Sequence, residues 1–354
     1  MKAVIIAGGL GTRLRPLTCN TPKPIVPLVN IPFVVHQIEQ LVQHGADEVI
    51  LNLHYLSDDI RKVLDDGKQW GIKIHYSIEE TPLGTAGAVK NAEPYFDDGP
   101  MIILNGDVLT DTNISKVLKF HREKKARVTL TLVEVDDPTP FGLVVTGQDG
   151  RVIEFIEKPS WERVVTHNIN AGIYVVDPAI FKKVPKGVPY SFERELYPSL
   201  LAAGEAIFGY LSTSYWIDIG NPEKYKEAHE AILRGEVAVR IDGTRINNKT
   251  WIGKNTYPDA SVKFSGASVI GEKVKIGKGT DIKDYVVVGN NVQIGEHAVL
   301  SRTIVWEDTK IGNYVCLSDC IIGKHCVIED EASISGGLVL ADRSEVKKGT
   351  RLTA

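Results

Sequence analysis

The residues best suited to chemistry gather in a few short strings, the first of which reads Gly8-Gly9-Leu10-Gly11-Thr12-Arg13 directly after the apolar run Ala3 to Ala7. Because the glycines carry no side chains, the backbone N–H groups of Gly8, Gly9, Gly11 and Thr12 can come close to phosphate oxygens, and Arg13 adds a positive charge. Ten residues further, Lys23 stands between Pro22 and Pro24, whose restricted φ angles stiffen the chain around it and make the lysine a fixed point charge. Together these suit a polyphosphate; a tight turn and a solvated loop lysine are the plainer readings of each string taken alone. A third string, Ile102-Ile103-Leu104-Asn105-Gly106-Asp107, reads as a buried strand that ends in an acid, and ligand sites of open α/β sheets lie at such carboxyl ends.

In combination, the glycine loop, the arginine and Pro22-Lys23-Pro24 resemble the signature of the sugar-phosphate nucleotidyltransferases, over Met1 to about Leu233. The resemblance implies a Rossmann-like α/β domain whose loop wraps a nucleoside triphosphate, with Arg13 and Lys23 on its phosphates. A sugar 1-phosphate oxygen then attacks the α-phosphorus and pyrophosphate leaves, so charge must be stabilised on both sides. It also implies Mg2+ held by Asp107 and a second acid, matched here by Asp218 in Trp216-Ile217-Asp218-Ile219-Gly220. Two carboxylates suit a metal that keeps waters and phosphate oxygens as its other ligands. The sugar 1-phosphate would meet Gly142 of Phe141-Gly142, Glu157 and Lys158 of Glu157-Lys158-Pro159, and Asn170 of Asn170-Ala171-Gly172.

The string from Glu79 to Gly87 resembles the family's base-binding loop, which puts Glu79, Pro82, Gly84 and Thr85 on the nucleotide. Relatives that use uridine or thymidine nucleotides typically have glutamine at the position of Glu79. A carboxylate only accepts hydrogen bonds, and guanine presents two adjacent donors, so GTP is the expected substrate; a solvated charge at a strand end is the other reading. The same string, with Leu104-Asn105-Gly106-Asp107, looks most like the mannose-1-phosphate guanylyltransferase branch of the family. Mannose 1-phosphate is therefore the expected acceptor, with glucose 1-phosphate uridylyl or thymidylyl transfer as the alternative.

Such residues need a scaffold, and the first two-thirds of the chain alternate β-rich runs with amphipathic segments, the pattern of strands joined by helices in a mostly parallel sheet. Strands are expected at Ala3 to Ala7, Val49 to Leu53, Ile72 to Ile78, Met101 to Leu104, Val128 to Val133, Val152 to Ile156 and Ile173 to Val176. A helix is expected from Phe33 to Val42, closed by Gly45, and a last one from Pro222 to Leu233. This part, residues 1–235, forms the expected nucleotidyltransferase domain. Beyond it an aliphatic residue followed by glycine recurs at Ile252, Ile270, Ile276, Val288, Ile294, Ile311 and Ile322, first at multiples of six and then with two slips of one residue. Residues 236–354 thus resemble the left-handed parallel β-helix of hexapeptide-repeat proteins, whose stacked coils bury one apolar column. Such a module suits self-association into a homo-oligomer. An acyltransferase site in it would need a basic residue between coils, and His297 and His325 are the only histidines in the repeats. A silent, regulatory sugar-nucleotide-binding relative is the third reading, disfavoured by the intact loop and both aspartates.

Composition narrows the partners. The 41 basic and 45 acidic residues are spread along the chain with a net charge of -4, so no basic stripe advertises nucleic acid or an anionic membrane. No signal-peptide pattern and no run of roughly 20 apolar residues is present, and a cytoplasmic protein is expected. Cys19, Cys316, Cys320 and Cys326 lack paired zinc-binding spacing and read as small residues in a packed interior.

Overall fold

The computed structural model describes residues 1–354, which divide into two compact units that do not follow chain order. One holds Met1–Leu10 and Gln37–Asp218; the other holds Gly11–His36 and Ile219–Ala354.

In the first unit, Met101–Asn105, Lys2–Ile6, Glu48–Leu53 and Lys73–Ile78 lie side by side in that order and run parallel. Strands covered on both faces can be apolar throughout, which is why Ala3, Val4 and Ile5 are all buried. Asn168–Val176 joins antiparallel to Met101–Asn105, and Val128–Glu134, Gly142–Thr146, Val152–Glu157 and Ile207–Leu211 complete a nine-stranded sheet. The sheet is mixed, and its first four strands are wholly parallel. The strand expected from Ile173 begins earlier, at Asn168, because Gly172 (φ +73°) interrupts the register rather than the strand. Asn168–Asn170 pair with Glu134–Leu132, and pairing resumes only at Tyr174 with Leu130. A bulge of this kind re-aims side chains beside a site.

In the second unit the repeat closes into parallel coils. Ile276, Ile294, Ile311, Ile328 and Val346 stack in one column of short strands, all buried, at intervals of 18, 17, 17 and 18 residues. Each aliphatic side chain so removed from water contributes about 1.5–3 kcal/mol. The two slips in the repeat have a local cause. In the 17-residue coils one corner loses a residue and two sides merge into the continuous strands Val299–Val305 and Cys316–Ile322. The glycines after the aliphatic residues stand where neighbouring coils touch: a Cβ on Gly277 would lie 2.6 Å from the Gly295 carbonyl carbon. His297 and His325 occupy corners at positive φ; His297 stacks on Tyr314 at 5.1 Å between ring centres, and His325 lies 3.8 Å from Asp308. Of the cysteines, Cys320 and Cys326 are buried in this stack, whereas Cys19 and Cys316 are exposed, so the packed-interior expectation fails for those two.

The Pro222–Arg234 helix begins where Asn221 Oδ1 accepts from Lys224 N at 2.8 Å, with Pro222 at its first position, and ends at the left-handed Gly235. Its side chains join both parts of this unit. Tyr225 Oη donates to the Pro27 carbonyl and accepts from Trp306 Nε1 at 3.1 Å. Lys226 pairs with Asp319 at 2.6 Å and Glu230 with Arg302 at 3.0 Å. Asn30 Nδ2 donates to the Val288 carbonyl at 2.8 Å. The segment that carries Lys23 is thereby anchored on the coils.

Two buried histidines lie in this packing. His229 Nδ1 accepts from Val29 N at 3.4 Å and His36 Nε2 donates to Leu28 O at 3.0 Å, leaving His36 Nδ1 buried without a partner. Burial lowers the His36 pKa to about 4 and, with His36 nearby, that of His229 to about 3. Both rings are neutral in the folded protein, while in the unfolded chain they take up protons below about pH 6.5. Their contribution to stability is therefore complete above that pH and is lost as pH falls toward 4 and then 3. Urea unfolding at pH 5.5 is expected to show a loss on the order of 1 kcal/mol per histidine relative to pH 7.5. An NMR titration of the folded protein in which either ring titrates near its ordinary value would contradict this.

Candidate active site

The carboxyl ends of the four parallel strands deliver Asp107, Gly8, His54 and Glu79 to one edge of the sheet. Pairing continues just past the strands, with Ala7 N donating to Asn52 O at 2.9 Å, Gly106 N to Ile6 O at 2.9 Å and Glu79 N to Leu53 O at 2.8 Å. A Cβ on Gly106 would stand 2.5 Å from the Ile6 carbonyl oxygen, so no other residue fits there without displacing the strand. Gly8 is nearly as close: its Cβ would lie 3.1 Å from Glu79 Oε1. Gly9 is exposed with open space around it.

Glu79 is buried, so it is not the solvated strand-end charge that was one reading of it. Its Oε2 accepts from Leu83 N at 2.9 Å, and burial raises its pKa against the opposing effect of that hydrogen bond. One of its two oxygens is thus engaged by the chain itself. His54 Nδ1 meets the Glu79 carbonyl at 2.8 Å. After exposed Pro82, the short Gly84–Asn91 helix begins with Gly84 at φ +70°. Its Ala86 and Gly87 amides both donate to Tyr190 O at 2.9 Å. Thr85 Oγ1 donates to Glu193 Oε2 at 3.0 Å and accepts from Phe192 N at 2.8 Å, so this hydroxyl fixes the loop.

Asp107 lies in the turn between Met101–Asn105 and Val108–Thr110, and buried Gln37 holds that turn by donating to Asn105 O at 2.9 Å and Val108 O at 3.1 Å. Trp216–Asp218 pairs antiparallel with Val108–Thr110, placing Asp218 opposite Val108. Two half-buried carboxylates thus sit one residue apart across a short ladder. These hard oxygen donors fit a small divalent cation that completes its shell with water and phosphate.

On the antiparallel side of the sheet, Gly142 pairs with Glu157 in the Gly142–Thr146 and Val152–Glu157 hairpin, and a Cβ on Gly142 would meet Glu157 Oε2 at 3.0 Å. Burial, and then the charge of Glu193, raise the Glu157 pKa. Lys158 is exposed at φ +47° with its N–H donating to Phe141 O at 3.0 Å. Asn170 lies inside its strand rather than at its start; its Nδ2 donates to Tyr174 Oη at 2.9 Å and its Oδ1 accepts from Gly172 N at 3.1 Å. Gly172 itself approaches Asn105 so closely that a Cβ would be 2.7 Å from Asn105 Nδ2.

Sequence reasoning passed over Gln37, His54, Tyr174 and, above all, Glu193. The last sits in a π-helix, Phe192–Leu196, a rare form that recurs at functional sites. It links the two halves of the edge, bonding Thr85 on one side and raising the pKa of Glu157 on the other. The only local signal was a capping pattern, in which Ser191 Oγ accepts from Glu193 N and Arg194 N at 3.1 Å and Glu195 Oε2 reaches back to Ser191 N at 2.6 Å.

Arg13 and Lys23 belong to the other compact unit, each in a single 3-10 turn, Thr12–Leu14 and Lys23–Ile25. Gly11 (φ +62°) lets that chain fold on itself: its Cβ would lie 3.1 Å from Lys23 Cβ, and Thr18 Oγ1 donates to Gly11 O at 2.7 Å. Thr12 and Arg13 are exposed, whereas Lys23 is buried along its stem.

A sheet edge with a glycine loop, a paired-carboxylate turn and an acid-bearing hairpin defines an α/β nucleotidyl transferase. The chain belongs to the nucleotidyl transferase family, which its residues 2–235 match, and residues 264–354 match the family described as the GMPPB C-terminal domain. It is 37% identical over 302 residues to mannose-1-phosphate guanylyltransferase of Mycobacterium tuberculosis, covering 85% of this chain and 83% of that one. It is 31% identical to a UTP--glucose-1-phosphate uridylyltransferase of Synechocystis, covering 94% and 90%. Among solved structures, HddC from Yersinia pseudotuberculosis complexed with GMP-PN is 32% identical with a TM-score of 0.56, over 64% of this chain and 97% of that one.

The Glu157 and Glu193 geometry has a measurable consequence. Glu193→Gln keeps an acceptor for Thr85 but removes the negative charge that helps hold the Glu157 pKa up. The folded pKa of Glu157 then falls, and its carboxylate stays ionised to lower pH. The acid limb of the kcat/KM profile for the sugar phosphate is expected to move to lower pH in this variant; an unmoved limb would show that turnover does not depend on ionised Glu157.

Proposed function

We propose that the chain transfers a guanylyl group from GTP to mannose 1-phosphate, releasing pyrophosphate and forming GDP-mannose. The observation that carries the reading is the sheet edge itself, where Gly8, Glu79 and Asp107 stand at the carboxyl ends of three strands of one parallel set. The backbone N–H groups of Gly8, Gly9, Gly11 and Thr12 cradle the triphosphate, and Arg13 and Lys23 neutralise it. Pro82, Gly84 and Thr85 shape the base side. Glu79 holds that loop through Leu83 and keeps Oε1 for a guanine donor. Gly142, Glu157, Lys158 and Asn170 receive the sugar 1-phosphate, the carboxylate accepting from sugar hydroxyls and the lysine meeting the phosphate. A phosphate oxygen of the sugar forms the new bond to the α-phosphorus, while the bond to the bridging oxygen of the β-phosphate breaks and pyrophosphate carries that electron pair away. Mg2+ bound by Asp107 and Asp218 would supply positive charge to the phosphates and leave positions for their oxygens.

Support for guanine comes from the mycobacterial relative and from the character of Glu79, while the uridylyltransferase relative makes the nucleotide the point to test. Residues 1–235 act as the catalytic domain and residues 236–354 as a hexapeptide-repeat β-helix through which copies of the chain associate. The cytoplasm is the proposed site of action; no helix is long and apolar enough to cross a membrane.

Pyrophosphate release measured for GTP, UTP and dTTP against mannose, glucose and N-acetylglucosamine 1-phosphates is expected to be fastest with GTP and mannose 1-phosphate. Clearly faster turnover with UTP or dTTP would sink the guanylyl reading. Asp107→Ala is expected to lower turnover at least about a hundredfold, the scale for loss of a group that stabilises developing charge, with an unchanged thermal midpoint. Chelation by EDTA is expected to do the same, reversed by Mg2+; full activity in either case would remove Asp107 from a metal site.

A further inference from the structure

The second unit holds a cavity of about 750 Å3 that no step of the proposed reaction uses. It is bounded by the last turn of the Pro222–Arg234 helix, by the chain that leaves it through Val237 and Ile241, and by the first coils of the β-helix. A space of this size is in the range of small-molecule sites, about 300–1,000 Å3.

Its chemistry is specific. Trp251 and Tyr285 supply two aromatic rings, with the Arg245 guanidinium carbon 5.0 Å from the Trp251 ring centre and that of Arg234 5.7 Å from the Tyr285 ring centre. Arg234 is already matched, by Glu236 at 2.7 Å and Glu230 at 3.2 Å. Arg245 donates to the Asn248 carbonyl, and both Arg245 and Lys249 are exposed at the cavity. The Asp284 carboxylate on the same wall accepts from Ala267 N at 3.4 Å. Once Arg234 and Glu236 are paired off, two cations remain against one acid, in a chain whose net charge is -4.

The backbone that carries these groups is fixed by pairing. Arg245 stands directly opposite Trp251 in the antiparallel pair Thr244–Arg245 and Thr250–Ile252, and the Lys249 carbonyl accepts from Ser268 N of the next coil at 2.9 Å. Rings set beside fixed cations recognise a planar ring that carries phosphate, because the ring stacks while the cations meet the negative charge. A sugar phosphate would meet the rings only through its C–H groups, and inorganic phosphate would leave most of the volume empty.

We propose that this cavity binds a nucleoside diphosphate, its base against Trp251 and Tyr285 and its phosphates on Arg245 and Lys249. The site lies outside the residues assigned to the reaction and does not depend on which triphosphate the catalytic edge accepts.

Equilibrium dialysis of the full-length protein with GDP, ADP and UDP tests this by counting bound molecules per chain. The wild type is expected to bind at least one of these nucleotides at one site more than the Arg245→Glu, Lys249→Glu double variant, or to bind it there at least about tenfold more tightly, which corresponds to 1.4 kcal/mol. Both substituted residues are exposed, and an unchanged thermal midpoint shows that the variant is folded. If the guanylyl reading alone fails, the GDP count falls equally in both proteins and the difference between them persists for the nucleotide that binds. Equal stoichiometry and affinity in wild type and variant for all three nucleotides would overturn the proposal.

Discussion

The places of Gly8, His54, Glu79 and Asp107 follow from how four parallel strands end. Their backbone pairing runs slightly beyond the regular ladder, through Ala7 to Asn52, Gly106 to Ile6 and Glu79 to Leu53, before the chains part. Buried amides and carbonyls must find partners, and these contacts satisfy the last of them while fixing where each loop starts. The fit is tight enough that Gly106 has no room for a methyl group, and Gly8 has little. Asp107 and Glu79 inherit their positions from this termination pattern, and Asp218 inherits its own from the short ladder that follows it.

The acids at this edge are set apart by environment. Glu79 and Glu157 both have raised pKa values, the first through burial and the second through burial and the neighbouring Glu193. Asp218 lies on a short ladder and Asp107 in the turn beside it, both half-buried and suited to a cation. Glu193 binds the loop after Glu79 through Thr85 and acts on Glu157 through charge. The two ends of the site are therefore coupled by one carboxylate on one irregular helical turn.

Much of this was legible in the sequence where the signal was local. The buried run Ala3 to Ile5, the glycine loop and the capped Pro222–Arg234 helix are written in consecutive residues, and so is the aliphatic-glycine repeat. Its two slips needed coordinates, since nothing in the spacing says which corner of a coil has shortened. Val108–Thr110 and Trp216–Asp218 escaped because three residues carry no periodicity and their pairing is entirely tertiary. Gly142–Thr146 escaped for a similar reason, being defined by its hairpin partner. Glu193 escaped because a π-turn has no composition of its own. Cys19 and Cys316 show the reverse error, a residue-type preference overridden by position.

Segment Gly11–His36 forms one compact unit with the coils, although the two are far apart in the chain. Asn30 reaches Val288, and Pro27 is tied through Tyr225 to Trp306. The β-helix is thus not a detachable appendage in the evolutionary sense. Recombination that exchanged only the C-terminal part between relatives would leave a foreign surface beneath the turn that follows Lys23, so residues 27–36 and the coils they rest on are constrained to change together.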